Sequence, residues 1–153
     1  LGVELRQVHL DDPICEPLLA GLSAEYQQRY GEQDEMAMVT PDEFEPPSGA
    51  FVVLVASGRL VSGGGLRRLD EQVCEVKRMW TDEEHRGNGC ATVVLRGLEE
   101  AALELGYRVI RLETGPRQPE AVALYEKNGY RRIPTFGRYP QAIAFEKTLA
   151  AVD

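Results

Sequence analysis

The sequence predicts one mixed α/β domain, of the α+β kind, and three observations carry that prediction. Apolar spacing switches between a period near two and a period near 3.6, in the order strand, helix, three strands, helix, strand, helix, strand. The three strands between residues 51 and 81 are joined by tight turns, too short for a crossover, so they pair antiparallel. The length, 153 residues, suits a single core that buries roughly 70% of the surface of the unfolded chain. No repeat, low-complexity tract or linker divides it, and 1–153 reads as one domain.

Each element follows from its residues. Val3 to Val8 reads as a short strand. A turn at Asp11-Asp12-Pro13 leads to a helix from about Pro17, with Leu18, Leu19, Leu22 and Tyr26 on one face and an end near Gly31. From Glu32 to Ser48 the chain is acidic and rich in proline, and a short helical piece within a loop is expected. Phe51 to Val55 is a buried strand, turned at Ser57-Gly58 into a partner that contains Gly63-Gly64-Gly65. Three glycines there point to a bulge or a close backbone approach, or to a loose strand end. Val73 to Thr81 is the third strand, with Cys74, Val76, Arg78 and Trp80 expected on one face and Glu75, Lys77 and Met79 on the other.

The central helix is the clearest element, because Ala91, Val94, Leu95, Leu98, Ala102 and Leu105 fall on one face and Gly106 can cap it. Val109 to Thr114 is a strand. Pro119 opens a helix through Ala121, Leu124 and Tyr125 that Gly129 closes, and Ala142 to Glu146 is the last strand.

Composition excludes several function classes. With 17 basic and 25 acidic residues the net charge is −8, which argues against a nucleic acid or an anionic membrane as partner. Cys15, Cys74 and Cys90 are widely spaced, and with only His9 and His85 beside them no zinc-ligand pattern exists, so no metal is expected. Three free thiols in a cytoplasmic setting are expected. No apolar run approaches the ~20 residues of a membrane helix.

The chemistry concentrates in Val76 to Ala91, which reads as strand, short loop, glycine turn and helix. Gly87 and Gly89 let the N–H groups of the turn converge, and the next helix adds its unpaired donors and positive dipole end. Together they form a phosphate cradle, with Arg86 as a bidentate cation beside it. No Lys follows Gly89 as in a P-loop, and Thr92 replaces the third glycine of a dinucleotide turn. A purely structural glycine turn is the alternative.

Arg86-Gly87-Asn88-Gly89-Cys90-Ala91 resembles the R/Q-x-x-G-x-G/A motif of the GNAT superfamily of acetyl-CoA-dependent N-acetyltransferases, in particular the bacterial stand-alone type. The preceding strand, Glu75 to Thr81, and the segment Ala121 to Tyr130, similar to the family's A-x-x-L-Y-x-x-x-G-F/Y ending, extend the resemblance from about Gly63 to Phe145. It implies a mostly antiparallel central sheet of six to seven strands flanked by about four helices and splayed where acetyl-CoA binds. The pyrophosphate would sit on the amides of Arg86, Gly87, Asn88, Gly89, Cys90, Ala91 and Thr92. The pantetheine would lie along the main chain of Met79, Trp80 and Thr81 as an added strand does. The side chains of Met79 and Trp80 are expected in the core, and Cys90 in a small pocket. Gln118 stands where many relatives carry an Asn that meets the pantetheine.

Acetyl transfer to an amine requires that one proton leave the ammonium and that the thiolate be stabilised as it departs. The resemblance places Glu75 as the base, often through water, and Tyr125 near the thioester sulfur. A Glu75 paired with Lys77 or an arginine, and a Tyr125 that only packs, are the structural alternatives. His85 reads as a solvated loop residue.

The acceptor should meet the variable segments near Tyr26 to Ser48 and Pro134 to Pro140. The acidic first segment suits a cationic amine, and the aromatic and arginine residues of the second suit an acceptor with a carboxylate. The expected function is acetyl transfer to a primary amine of a small molecule, such as an amino acid or polyamine, in a ternary complex. A protein N-terminus or lysine as acceptor and a non-catalytic acyl-CoA sensor are the alternatives, and a homodimer is compatible with each.

Overall fold

A computed structural model describes residues 2–30, 40–116, 118–137 and 139–149. Seven strands form one sheet: β1 (Val3–Gln7), β2 (Ala50–Ala56), β3 (Arg59–Arg68), β4 (Val73–Thr81), β5 (Val109–Thr114), β6 (Arg131–Ile133) and β7 (Ile143–Thr148). Their spatial order is β1-β2-β3-β4-β5-β7-β6. Every neighbouring pair is antiparallel except β4–β5. A parallel pair needs a crossover, and the central helix supplies it.

Among the described residues there are three α-helices, α1 (Glu16–Tyr30), α2 (Cys90–Glu104) and α3 (Pro119–Lys127). The helical piece expected between Glu32 and Ser48 is a 3-10 turn at Pro41–Phe44, with two more such turns at Pro13–Cys15 and Glu83–His85. The expected end of α1 at Gly31 lies outside the described residues, as do Glu32, Asp34 and Glu35.

β2 is apolar along its whole length because both faces of the sheet are covered. Val52 and Leu54 join the core under α2, while Phe51, Val53 and Val55 join a second core with Leu18 and Leu22 of α1 and with Phe44. α2 buries Val94, Leu95, Leu98, Ala101 and Ala102 and stops before Gly106, whose φ is +96°. The β2–β3 hairpin turns through Ser57 (φ +52°) and Gly58 (φ +78°). Two successive positive φ values match the right-handed twist of the flanking strands.

The glycine run in β3 is explained by its neighbours. A methyl group on Gly64 would overlap the Met79 sulfur, and one on Gly65 would overlap the rings of Phe44 and Phe51. Large side chains from both layers press onto the strand there.

Opposite that run β4 carries a bulge. The β3–β4 register passes from Gly65↔Lys77 to Gly63↔Trp80, two steps on β3 against three on β4. Arg78 absorbs the extra residue at φ +60°. This overturns the expected alternation. Lys77 stays on the face of Glu75, its Nζ 4.0 Å from that carboxylate. Arg78 then joins the same face, its guanidinium 5.3 Å from the Phe44 ring centroid. Met79 turns to the α2 core and Trp80 to the α1 core. Strict period-two parity fails because a bulge inserts one residue without changing the chain's local composition.

Beyond the bulge the sheet splits. β4 pairs with β5 only from Val73↔Val109 to Val76↔Leu112, while β5 continues alongside β7 to Thr114.

Candidate active site

The split opens a cleft of about 460 Å³ between the end of β4, the N-terminus of α2, the end of β5 and the first turns of α3. The loop after β4 closes one end. Gly87 and Gly89 both have φ +81°, and a methyl group on either would meet nothing within 4 Å. Glycine is required there by conformation and not by crowding. Gly89 caps α2 with no side-chain hydrogen bond. Among the described residues, no well-aligned main-chain acceptor takes the N–H of Gly87, Asn88, Gly89, Cys90, Ala91 or Thr92. Arg86 is different, since its N–H donates to Glu83 O at 3.4 Å.

The Arg86 side chain sits at the mouth of the cleft. Its Nε donates to Thr81 O at 3.0 Å and its Nη2 to Glu25 Oε2 of α1 at 2.7 Å. His85, at the cleft wall, is 2.9 Å from Asp82 Oδ2 through Nδ1.

Met79, Trp80 and Thr81 line the cleft where β4 has lost its β5 partner. The Trp80 indole packs over Gly21, where a methyl group would overlap it. Cys90 is half-buried against the α2 core. Gln118 is the N-cap residue of α3, and its Oε1 accepts from Gly115 N at 3.0 Å and from the Thr114 hydroxyl at 3.3 Å. That amide oxygen is committed to shaping the turn before α3.

Tyr125 reaches the cleft from α3 and is 5% exposed. Its ring packs against Tyr130 and Phe145, each centroid 5.8 Å away. Its hydroxyl takes part in no hydrogen bond among those found in the described residues, yet no buried side-chain oxygen there lacks a partner. The hydroxyl therefore opens onto the cleft. Burial pushes its pKa well above the ordinary tyrosine value, so it stays protonated at neutral pH and keeps a proton to donate.

Glu75 sits differently. It is 6% exposed and is not among the residues that line the cleft. Its Oε1 accepts from Arg67 Nη1 at 2.9 Å, and Arg67 is bracketed on its other side by Glu43 at 2.9 Å. Burial, the largest influence, raises its pKa; Lys77 and Arg67 pull it down and Glu113 adds a smaller upward push. Among the described residues the carboxylates that do line the cleft are Glu25, Glu113 and Glu120, and Glu113 of β5 accepts through Oε2 from the N–H groups of Phe136 and Gly137, each at 3.1 Å.

The start of a helix, a splayed strand and a protonated tyrosine are thus brought into one cleft. The family profile described as acetyltransferase (GNAT) matches residues 17–130. The chain belongs to the GNAT acetyltransferase family. Membership makes it an acyltransferase. Over 130 residues it is 31% identical to the uncharacterized N-acetyltransferase YjgM of Escherichia coli (strain K12), covering 80% of this chain and 78% of that one. Over 108 residues it is 33% identical to the IAA acetyltransferase of Azospirillum brasilense, covering 67% and 70%. A Klebsiella pneumoniae structure described as an acyl-CoA N-acyltransferase superposes with a TM-score of 0.80 at 27% identity, over 97% of this chain and 98% of that one.

Two cleft residues of this GNAT acetyltransferase escape a reading of its sequence. Glu25 carried no signal, because its partner Arg86 is 61 positions away. Glu113 did carry one: in Val109-Ile110-Arg111-Leu112-Glu113-Thr114 the alternate charged positions mark a polar sheet face. Among the described residues no group of three or more His, Cys, Asp or Glu could hold a metal ion. No described helix is long and apolar enough to cross a membrane.

Proposed function

We propose that the protein transfers the acetyl group of acetyl-CoA to a primary amine of a small molecule, by direct attack within a ternary complex. The observation that carries this reading is the set of amides of Gly87 and of Gly89 to Thr92, which find no well-aligned main-chain acceptor among the described residues and belong to residues lining the same cleft as Tyr125. Amides at a helix start bind phosphate oxygens without a counter-cation. Arg86 adds charge once it leaves Glu25. The main chain of Met79, Trp80 and Thr81, beyond the last β4–β5 pair, suits the amide groups of a pantetheine arm.

Acetyl-CoA would supply an activated thioester. The residues of this chain would position it and move two protons. Tyr125, held protonated by burial, donates to the departing thiolate. Glu75 accepts the proton of the amine through water, because its own carboxylate does not line the cleft. Its raised pKa brings its basicity closer to neutral, where a general base is most effective.

The test is paired. Acetyl-CoA should raise the thermal midpoint, since it binds only the folded state, by ~2.7 kcal/mol of stabilisation at a hundred-fold excess over Kd. ATP and NAD at the same concentration should not. Thiol release with an amine panel then reads turnover. Binding without turnover would leave a sensor, and a preference for ATP or NAD would remove the reading altogether.

A further inference from the structure

We infer that β1 is the interface of a symmetric homodimer, in which two copies of the chain join edge to edge, β1 antiparallel to β1, with Leu5 on the two-fold axis. β1 ends the sheet. α2 packs mainly on β2 and β3, and α1 on β3 and β4, so among the described residues neither helix covers the outer edge of β1. The two ends of the sheet differ. β6 is three residues long and carries Arg131 and Arg132, features that blunt an edge. β1 has five residues, without lysine or proline, and pairs with β2 in an unbroken register. Of the large apolar side chains left exposed among the described residues, Val3 and Leu5 lie on this one strand.

The β1–β2 register fixes which backbone groups face outward. Val8 N–H donates to Phe51 O at 2.9 Å at one end, and Ser57 N–H to Gly2 O at 3.1 Å at the other. Bonded and non-bonded residues alternate along an antiparallel pair, so Gly2, Glu4, Arg6 and Val8 turn their backbone groups to β2. Val3, Leu5 and Gln7 turn theirs to the open edge. A strand added there must set odd-numbered residues against odd-numbered residues.

Charge then selects the register. Symmetric pairing centred on Glu4 would oppose two carboxylates, and pairing centred on Arg6 two guanidiniums, which is unfavourable directly across a ladder. Pairing centred on Leu5 aligns the whole strand and sets Glu4 of each copy against Arg6 of the other. These two side chains already pair within the strand at 2.6 Å, each about half exposed, so the dimer closes a ring of four alternating charges. On the opposite face Leu5 leans on Gly97 of α2. There Leu5 meets Leu5 and Val3 meets Gln7, in hydrogen-bonded pairs that satisfy the outward N–H and C=O groups. A strand that is complementary to itself in bonding, charge and apolar contact fits a second copy of this chain.

One strand pair is smaller than a standard interface of roughly 1,600 Å², so Kd should fall at about 10–100 µM. Sedimentation velocity from about 1 to about 300 µM should show monomer passing to dimer by mass action. Glu4→Arg and Arg6→Glu each set like charges against one another and should weaken the dimer by about two- to thirty-fold, the worth of two cross-strand pairs. Mixed in equal amounts, the two variants oppose unlike charges again and should form a heterodimer close to wild type in affinity. Both positions are about half exposed, so neither change should unfold the chain. Leu5→Pro removes an outward N–H that β2 does not use and should give a monomer, its thermal midpoint recording that it folds. A wild-type chain that stays monomeric over the whole range overturns the inference and leaves the edge idle or open to a strand of another protein. A dimer that both charge variants leave intact overturns it by placing the contact on another surface. A dimer that each variant weakens and their mixture fails to restore overturns the register. The cleft lies at the far end of β4, three strands away, so none of these outcomes depends on the transferase reading.

Discussion

Replacing Tyr125 by Phe removes one oxygen, and the structure says what that oxygen does for folding. The hydroxyl has no hydrogen-bond partner among the described residues, while the ring keeps its contacts with Tyr130 and Phe145. A hydroxyl bonded in the interior would cost ~0.5–1.5 kcal/mol on removal. Here nothing is orphaned, so the change in stability should stay within ~0.5 kcal/mol, a shift of under about 2 °C for a chain of this length. The catalytic cost is of another size, because loss of a general acid lowers the rate by ~10²–10⁴-fold. Burial holds the tyrosine proton on across the neutral range, so the loss should be the same from mildly acidic to neutral pH. Thiol release at saturating acetyl-CoA and acceptor gives kcat, and titration of the thermal midpoint gives acetyl-CoA affinity, which should not change. A variant with kcat within a factor of a few of wild type refutes the acid role. A drop in midpoint of several degrees would show that the hydroxyl is a structural group.

Three further outcomes follow from individual contacts. Glu25→Gln should tighten acetyl-CoA binding by ~1.4–5-fold, since an exposed ion pair contributes ~0.2–1 kcal/mol and Arg86 would no longer be drawn to α1; unchanged or weaker binding, read by calorimetry, would show that the two do not compete. Burial pushes the Cys15 thiol up to about 11 and the Cys74 thiol up to about 12, so alkylation of the native protein near pH 8 should reach Cys90 first, with acetyl-CoA protecting it. Equal labelling of all three in peptide mass spectra, or labelling of Cys90 that acetyl-CoA does not slow, contradicts this. Glu75 has a pKa raised chiefly by burial, so the folded state binds its proton more tightly than the unfolded chain does. That contribution to stability is complete below the ordinary Glu pKa and fades as pH rises through the higher folded value. Glu75→Gln keeps an acceptor for Arg67 but should abolish this pH dependence in denaturant melts. As the proposed base, it should also flatten the acidic limb of kcat/KM, less so for acceptors already neutral at assay pH.

Much of the molecule is written in short-range pattern. The α2 face, the turn at Ser57-Gly58, the ends at Gly106 and Gly129 and the glycine turn at Gly87 and Gly89 depend on residues within a few positions of one another. Their causes are local steric limits and helical periodicity, so the sequence alone determined them. It also supplied the family, through two motifs on the same stretch that the profile matches. β6 is three residues long, too short for a period to show. The rest was decided by contacts across the chain. The bulge at Arg78 is imposed by how β4 packs against the glycine run of β3, and it reversed the faces of Arg78, Met79 and Trp80. Glu75 meets Arg67 across two strands, Arg86 meets Glu25 across the cleft, and Glu113 holds a loop more than twenty residues ahead. Which carboxylates face the cleft is a question of where charges come to rest. Only the tertiary structure answers it, because partners distant in sequence leave no periodic trace in it.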